Sequence, residues 1–222
     1  FNNAGQTCVA PDYILVHESV YDKFVKKMKK TITEFYGKNI EESPDFGRII
    51  NERQFDRLQQ LLQKEVKNIT FGGQTKRESL YIEPTIIENV SWDNPIMEDE
   101  IFGPIMPIMK YDELPLAIHK IRQLPKPLSA YLFSEHEKAI NYFLEELSFG
   151  GGCINDVISH VGNMHLPFGG VGTSGVKAYH GKASFENFTH PKSILKRSSK
   201  LSTDIVLPPY KNKVKLVRMI MK

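Results

Sequence analysis

The stretch Leu128–Asp156, "LSAYLFSEHEKAINYFLEELSFGGGCIND", decides the fold class. "LSAYLFS" is a short β-rich run. "SEHEKAINYFLEEL" then carries its apolar residues at helical spacing, with Ser134 and Glu137 in the positions of a capping box. "GGGCIND" returns the chain to extended form through glycines. The same alternation runs outward in both directions. Upstream, "PIMPIMKY" reads as a strand and "DELPLAIHKIRQL" as the helix after it. "YIEPTIIENV" is extended and interrupted by Pro84, which places it at a sheet edge or in a long loop. Nearer the start, Tyr13–Val16 is a strand, and residues 19–37 place Val20, Phe24, Met28, Ile32 and Phe35 on one helical face. Ser19 and Asp22 suggest a cap for that helix, and Gly37 its stop. A second helix starts near Asn51 with the stripe Phe55, Leu58, Leu61, Leu62 and Val66. It leads through the strand Asn68–Phe71 into the Gly72-Gly73 turn. Strand alternating with helix predicts an α/β fold with a mainly parallel open sheet and flanking helices.

Beyond Phe185 the pattern breaks. "SILKRSS" reads as a lone strand of the kind that pairs outside its own domain, and "VLPPYKNKVKLVRMIMK" as a proline turn with a basic amphipathic end.

Composition narrows the function classes. The 222 residues carry 29 Lys and Arg against 26 Asp and Glu. A net charge of +3 with scattered lysines does not describe a nucleic-acid surface. No run approaches the roughly 20 apolar residues of a membrane span. Two cysteines, Cys8 and Cys153, make no disulfide framework and point to a reducing, cytoplasmic setting. There is no H-E-x-x-H and no C-x-x-C, and Cys153, His160 and His165 lack ligand spacing, so no metal site is expected. Phe1 is not a Met and begins inside what reads as a motif; further residues are expected ahead of it.

Three stretches could carry chemistry. In "FNNAGQTCVAPDY", Cys8 is either a buried small hydrophobe or a nucleophile at the start of a short helix, where its backbone N–H could help hold an oxyanion. In "EDEIFGPIMPI", three acids precede a Phe-Gly-Pro turn. They form either a solvated acidic turn or a site where an acid binds a ribose hydroxyl or a metal, with the aromatic packing on a flat ring. "PFGGVGTSG" contains a literal G-x-G-x-x-G, but no hydrophobic strand precedes it and no acid follows about 20 residues on, as the dinucleotide fingerprint requires. A tight loop needing glycine for positive φ or close backbone approach accounts for it better.

Taken together, "NAGQTC", "EIFGP" and "PFGGVGTSG", in this order and separation, resemble the catalytic part of an NAD(P)-dependent aldehyde dehydrogenase, from Phe1 to about Lys196. "GQTCVAPDYILV", "INDV" before "LPFGGVGTSG", and the late "PPY" are similar to its class 3, fatty-aldehyde-type branch. The resemblance implies a catalytic α/β domain over residues 1–190, and an oligomerisation strand with a C-terminal tail over residues 191–222. It implies that Cys8 is the nucleophile, passing through a thiohemiacetal and a thioester to a carboxylic acid. It further implies that Glu100 and Phe102 contact the cofactor, NAD or NADP, and that the glycine loop walls the substrate tunnel. The implied partners are an aldehyde, a nucleotide-binding domain absent from this chain, and a second copy in a homodimer or other homo-oligomer.

In this family the general-base glutamate and the oxyanion-hole asparagine precede the cysteine. Neither Glu18 nor Glu34, which follow Cys8, takes that place, so this chain alone is expected to be nearly inactive. Two other readings use the same residues. One is a reductase of the same fold acting on acyl phosphates or CoA thioesters; the other is a non-catalytic assembly module with Cys8 inert.

Overall fold

The computed structural model describes residues 1–200, 208–210 and 213–220. In chain order its elements are β1 (Ile14–His17), α1 (Tyr21–Tyr36), α2 (Glu52–Lys64), β2 (Ile69–Phe71), β3 (Thr75–Lys76) and β4 (Tyr81–Ile82). There follow β5 (Thr85–Ile87), β6 (Ile105–Tyr111), α3 (Leu114–Arg122), β7 (Ser129–Leu132), α4 (Glu137–Glu146) and β8 (Gly151–Ile154). Three helices come last: α5 (Ser159–Gly162), α6 (Gly181–Phe188) and α7 (Val214–Ile220). Among the described residues no helix is long and apolar enough to cross a membrane.

The chain divides into two compact units, Phe1–Asn187 and Phe188–Lys222. In the first, a four-stranded sheet runs in the order β1-β6-β5-β2. β6 is parallel to both β1 and β5, with Ile14 opposite Ile108 and Thr85 opposite Ile105; β2 is antiparallel to β5. β7 and β8 form a separate parallel pair, and β3 and β4 an antiparallel one. The α/β class with a mainly parallel sheet and flanking helices is the observed one.

Alternation along the strands explains how both sheet faces are covered. Neighbouring residues of a strand point to opposite sides. Ile86, Met106 and Ile108 accordingly join Val25 and Ile32 of α1 in one apolar cluster, whereas Ile87 and Ile105 join Phe55, Leu58 and Leu62 of α2 in another. A third cluster sets Ile118 of α3 and Phe143 of α4 against Ala130, Leu132 and Ile154 of the β7–β8 pair. Each such buried side chain contributes about 1.5–3 kcal/mol from burial.

Several local expectations are corrected. Residues 85–87 are not at an edge: β5 is an interior strand, fully buried, because Pro84 stands just before it and takes no ladder position. Neither expected capping box forms. His17 accepts from the Ser19 backbone N–H and α1 begins only at Tyr21, while Ser134 Oγ accepts from the His136 N–H at 3.1 Å, making a local turn. Ser134 satisfies nearby backbone before its helix starts, whereas the Ser19 hydroxyl lies 2.7 Å from His17 Nδ1. Val66 leaves the α2 stripe, because the helix ends at Lys64, and it is exposed. Residues 191–198 are exposed and belong to no strand within the chain itself. Of the basic end, Val214–Ile220 is helical. Val206, Leu207, Lys211, Asn212, Met221 and Lys222 lie outside the described residues.

Candidate active site

Cys8 is exposed. It stands not at a helix start, as the sequence suggested, but in a turn closed by the Ala10 N–H on the Thr7 carbonyl at 2.9 Å. A proline works against a helix here. An α-helix would require an N–H from residue 11 to the Thr7 carbonyl, and Pro11 has none. Ahead of the turn, Asn3, Ala4 and Gly5 lie in succession at positive φ, 49°, 51° and 74°. The Gln6 amide spans out of this bend. Its Nε2 donates to the Arg48 carbonyl at 2.9 Å, and its Oε1 accepts from the Ile50 N–H at 3.0 Å. Ala4 and Val9, on either side of Cys8, are buried. The thiol is thus held outward by neighbours that are anchored inward.

Gly5 carries the contact that joins this bend to the acid–Phe–Gly–Pro turn. A Cβ at Gly5 would lie 2.1 Å from the Gly103 carbonyl oxygen, so only glycine permits the two backbones to approach this closely. A second tie runs from beyond the cysteine: Asp12 Oδ1 accepts from the Ile101 N–H at 2.9 Å. Arg57 of α2 grips the other side of that residue, Nη2 donating to the Ile101 carbonyl at 2.5 Å. With Ile101 pinned and buried, Phe102 is held at φ 49°, a left-handed conformation that a bulky residue adopts only under constraint, with its ring partly exposed.

The carboxyls here are perturbed. Burial first pushes the Asp12 pKa up, against the hydrogen bonds from Ile101 and Phe102 and the charge of Arg57 that lower it. Glu100 is exposed at the surface as a residue. Its carboxyl pKa is nonetheless raised, by desolvation first and by the negative charge of Asp12 second, with Arg57 opposing. Perturbed carboxyls gathered at one turn are common at functional sites.

The glycine-rich stretch lies against the β7–β8 end of the domain. A Cβ at Gly170 would meet the Ser174 carbonyl at 2.2 Å, so the loop doubles back on itself. Only a short 3-10 turn, Gly172–Ser174, follows its glycines, which rules out the strand–loop–helix geometry of a dinucleotide fingerprint. A chain of side chains connects this loop to the cysteine turn. Phe168 packs against His160, His160 packs edge-on to Tyr131, and the Tyr131 hydroxyl donates to the Val9 carbonyl at 2.7 Å.

All three stretches therefore bear on one region. Asp12, Arg57 and Tyr131 are the connecting residues that reading the sequence did not single out. The only available signal was weak: Asp12 follows Cys8 closely behind a proline, while Arg57 and Tyr131 reach across long separations. Among the described residues no cluster of three or more His, Cys, Asp or Glu could hold a metal ion.

Residues 1–194 match the aldehyde dehydrogenase family, and the chain belongs to that family. Its similarity is to the class 3 branch. It is 48% identical over 198 residues to the dimeric NADP-preferring aldehyde dehydrogenase of Rattus norvegicus, covering 89% of this chain and 43% of that protein. It is 54% identical over all its 222 residues to the 4,4'-diaponeurosporen-aldehyde dehydrogenase of Staphylococcus aureus (strain NCTC 8325 / PS 47), covering 48% of that protein. A solved structure described as the substrate-bound state of Staphylococcus aureus AldH superposes with a TM-score of 0.93 at 54% identity, over 99% of this chain and 48% of that one. The chain spans about half the length of these relatives.

Proposed function

We propose that this chain is the catalytic portion of an NAD(P)-dependent aldehyde dehydrogenase, with Cys8 as its nucleophile and Glu100 and Phe102 as cofactor contacts. The observation that carries the reading is the seating of Gly5 on the Gly103 carbonyl, which sets the exposed thiol's turn beside the turn bearing those two residues. On this reading residues 1–190 are the catalytic domain and residues 191–222 the oligomerisation strand and tail. The exposed backbone at 191–198, which belongs to no sheet of the chain itself, supports that assignment, since a strand from a second copy could take it into a shared sheet in a homodimer or other homo-oligomer. The protein then works in the cytoplasm, joined to a nucleotide-binding domain.

The residues present fit a nicotinamide nucleotide. A carboxylate offers acceptor oxygens to a ribose diol, and an aromatic side chain held partly exposed two residues on offers a face to a flat ring. NAD or NADP, when bound, supplies the hydride acceptor. The Cys8 thiolate adds to the aldehyde carbonyl carbon, forming the S–C bond of a thiohemiacetal, while the Cys8 backbone N–H donates to the developing oxyanion. Loss of hydride from that carbon restores the C=O as a thioester on Cys8. Water then cleaves the S–acyl bond, releasing the carboxylic acid and the thiol. The thioester divides one difficult step into two easier ones.

The test is NAD(P)H formation from medium-chain aldehydes by the intact enzyme and its Cys8→Ala variant. The variant is expected to lose at least ~10³-fold in kcat, with an unchanged melting temperature because the thiol is exposed. Turnover equal to that of the unsubstituted enzyme overturns the assignment.

A further inference from the structure

We propose that Tyr131 is a positioning residue for the Cys8 nucleophile, its hydroxyl fixing the Val9 carbonyl and with it the turn that presents the thiol. The inference rests on the dehydrogenase reading above and adds to it a residue outside the three sequence stretches.

The argument starts from what holds the turn. Residues 7–10 are closed by one backbone hydrogen bond, from the Ala10 N–H to the Thr7 carbonyl. Such a turn leaves the Val9 peptide free to rotate unless its carbonyl is engaged. That carbonyl accepts from the Tyr131 hydroxyl at 2.7 Å, across 122 positions of sequence, the short distance of a well-formed O–H···O bond. The Val9 side chain is buried, so the residue is held at both its side chain and its carbonyl. The Cys8 side chain, one residue away, inherits its direction from that peptide.

Tyr131 is itself fixed. It lies on β7, whose register with β8 sets it opposite Cys153. Its ring meets the His160 ring edge-on at 5.8 Å between centroids. His160, buried, lies with Nε2 3.3 Å from Ser129 Oγ and Nδ1 3.5 Å from Cys153 Sγ, and packs on Phe168 of the glycine-rich stretch. The position of that stretch is thereby transmitted to the cysteine turn through two rings and one hydrogen bond. Burial, first, holds the Tyr131 phenol above its ordinary pKa range, so the donated proton is present throughout the neutral range.

The experiment compares the intact enzyme with its Tyr131→Phe variant, which keeps the ring packing on His160 and removes the hydroxyl that donates to the Val9 carbonyl. Displacing a reacting atom by about 1 Å costs on the order of 10²-fold in rate. The expected result is a kcat lower by about tenfold or more, with the aldehyde KM within about twofold and a melting temperature lower by no more than a few degrees. A kcat within about twofold of the unsubstituted enzyme overturns the proposal, as does a loss seen in KM alone. Where the phenylalanine variant does not fold, 3,5-difluorotyrosine at position 131 gives the same test within a folded protein. The groups facing it are His160, Cys153 and Cys8. Its more acidic phenol loses the donated proton at lower pH, so kcat should fall on the alkaline side where the unsubstituted enzyme's does not. Superimposable profiles overturn the proposal. Failure of the dehydrogenase reading looks different: the unsubstituted enzyme itself then forms no NAD(P)H from aldehyde, or Cys8→Ala has no effect.

Discussion

Two regions of this domain are built on opposite principles. The sheet with α1 and α2 is regular, and its stability is spread over many apolar contacts, with Phe55, Leu58, Ile86, Ile87 and Ile108 all but inaccessible. The seam between the cysteine turn and the acid–Phe–Gly–Pro turn is irregular. It holds Asn3, Ala4, Gly5 and Phe102 at positive φ, and it depends on single contacts: Gly5 on Gly103, Asp12 on Ile101, Arg57 on Ile101, and Gln6 across to residues 48 and 50. The body can lose a methyl group and adjust. The seam rests on a few specific contacts, which is the expected cost of holding reactive groups in place rather than merely burying them.

Substitutions on each side sharpen this contrast. The largest loss of stability should come from the body. Phe55→Ala empties a site with no exposed surface and should destabilise by about 3–5 kcal/mol in a denaturant titration, with kcat per folded molecule retained.

Gly5→Ala should destabilise somewhat less, roughly 2–4 kcal/mol, from its positive φ and the clash with the Gly103 carbonyl. Its kcat/KM should nevertheless fall about 100-fold, because the two turns must separate. If Gly5→Ala kept full activity, the ties of Asp12 and Arg57 to Ile101 would suffice to hold the two turns together.

Asp12→Asn tests the seam's electrostatics. A carboxyl with a raised folded-state pKa binds its proton more tightly in the folded state than in the unfolded one. Its contribution to stability is therefore present at low pH and declines as pH rises through the unfolded value towards the folded one. Asparagine can accept the same Ile101 hydrogen bond without ionising. The melting temperature of the variant relative to the unsubstituted protein should therefore increase from about pH 4 to neutrality. A constant difference across that range would show that Asp12 titrates as it does in the unfolded chain.

The smallest effect belongs to the surface of the body. Arg77 pairs with Asp56 at 2.8 Å and Glu52 at 2.9 Å, but all three are solvent-exposed. Arg77→Ala should cost less than about 1 kcal/mol, and less still at high salt.

Those same contrasts separate what could be read early from what could not. The strand–helix–strand reading of residues 128–156 and the apolar stripes of α1 and α2 were legible because periodicity follows from local backbone geometry. Local signals failed where the surroundings chose differently. Ser19 and Ser134 had the spacing of caps and made other turns. Residues 85–87 looked peripheral because of Pro84, yet they are interior because β2 and β6 flank them. The start of a helix at Cys8 was opposed by Pro11, a local signal that could have been used.

By itself the sequence determined the α/β class, the order of the elements, and the three stretches around Cys8, Glu100 and Gly170 that mark the family. These rest on side-chain periodicity and on residue types, both of which are carried along the chain. Only the tertiary structure decided that the cysteine turn leans on Gly103, that Asp12 and Arg57 clasp Ile101, and that Tyr131 reaches the Val9 carbonyl. Those contacts join residues distant in sequence, and their geometry exists only once the sheet has brought the strand ends and the turns between them into register.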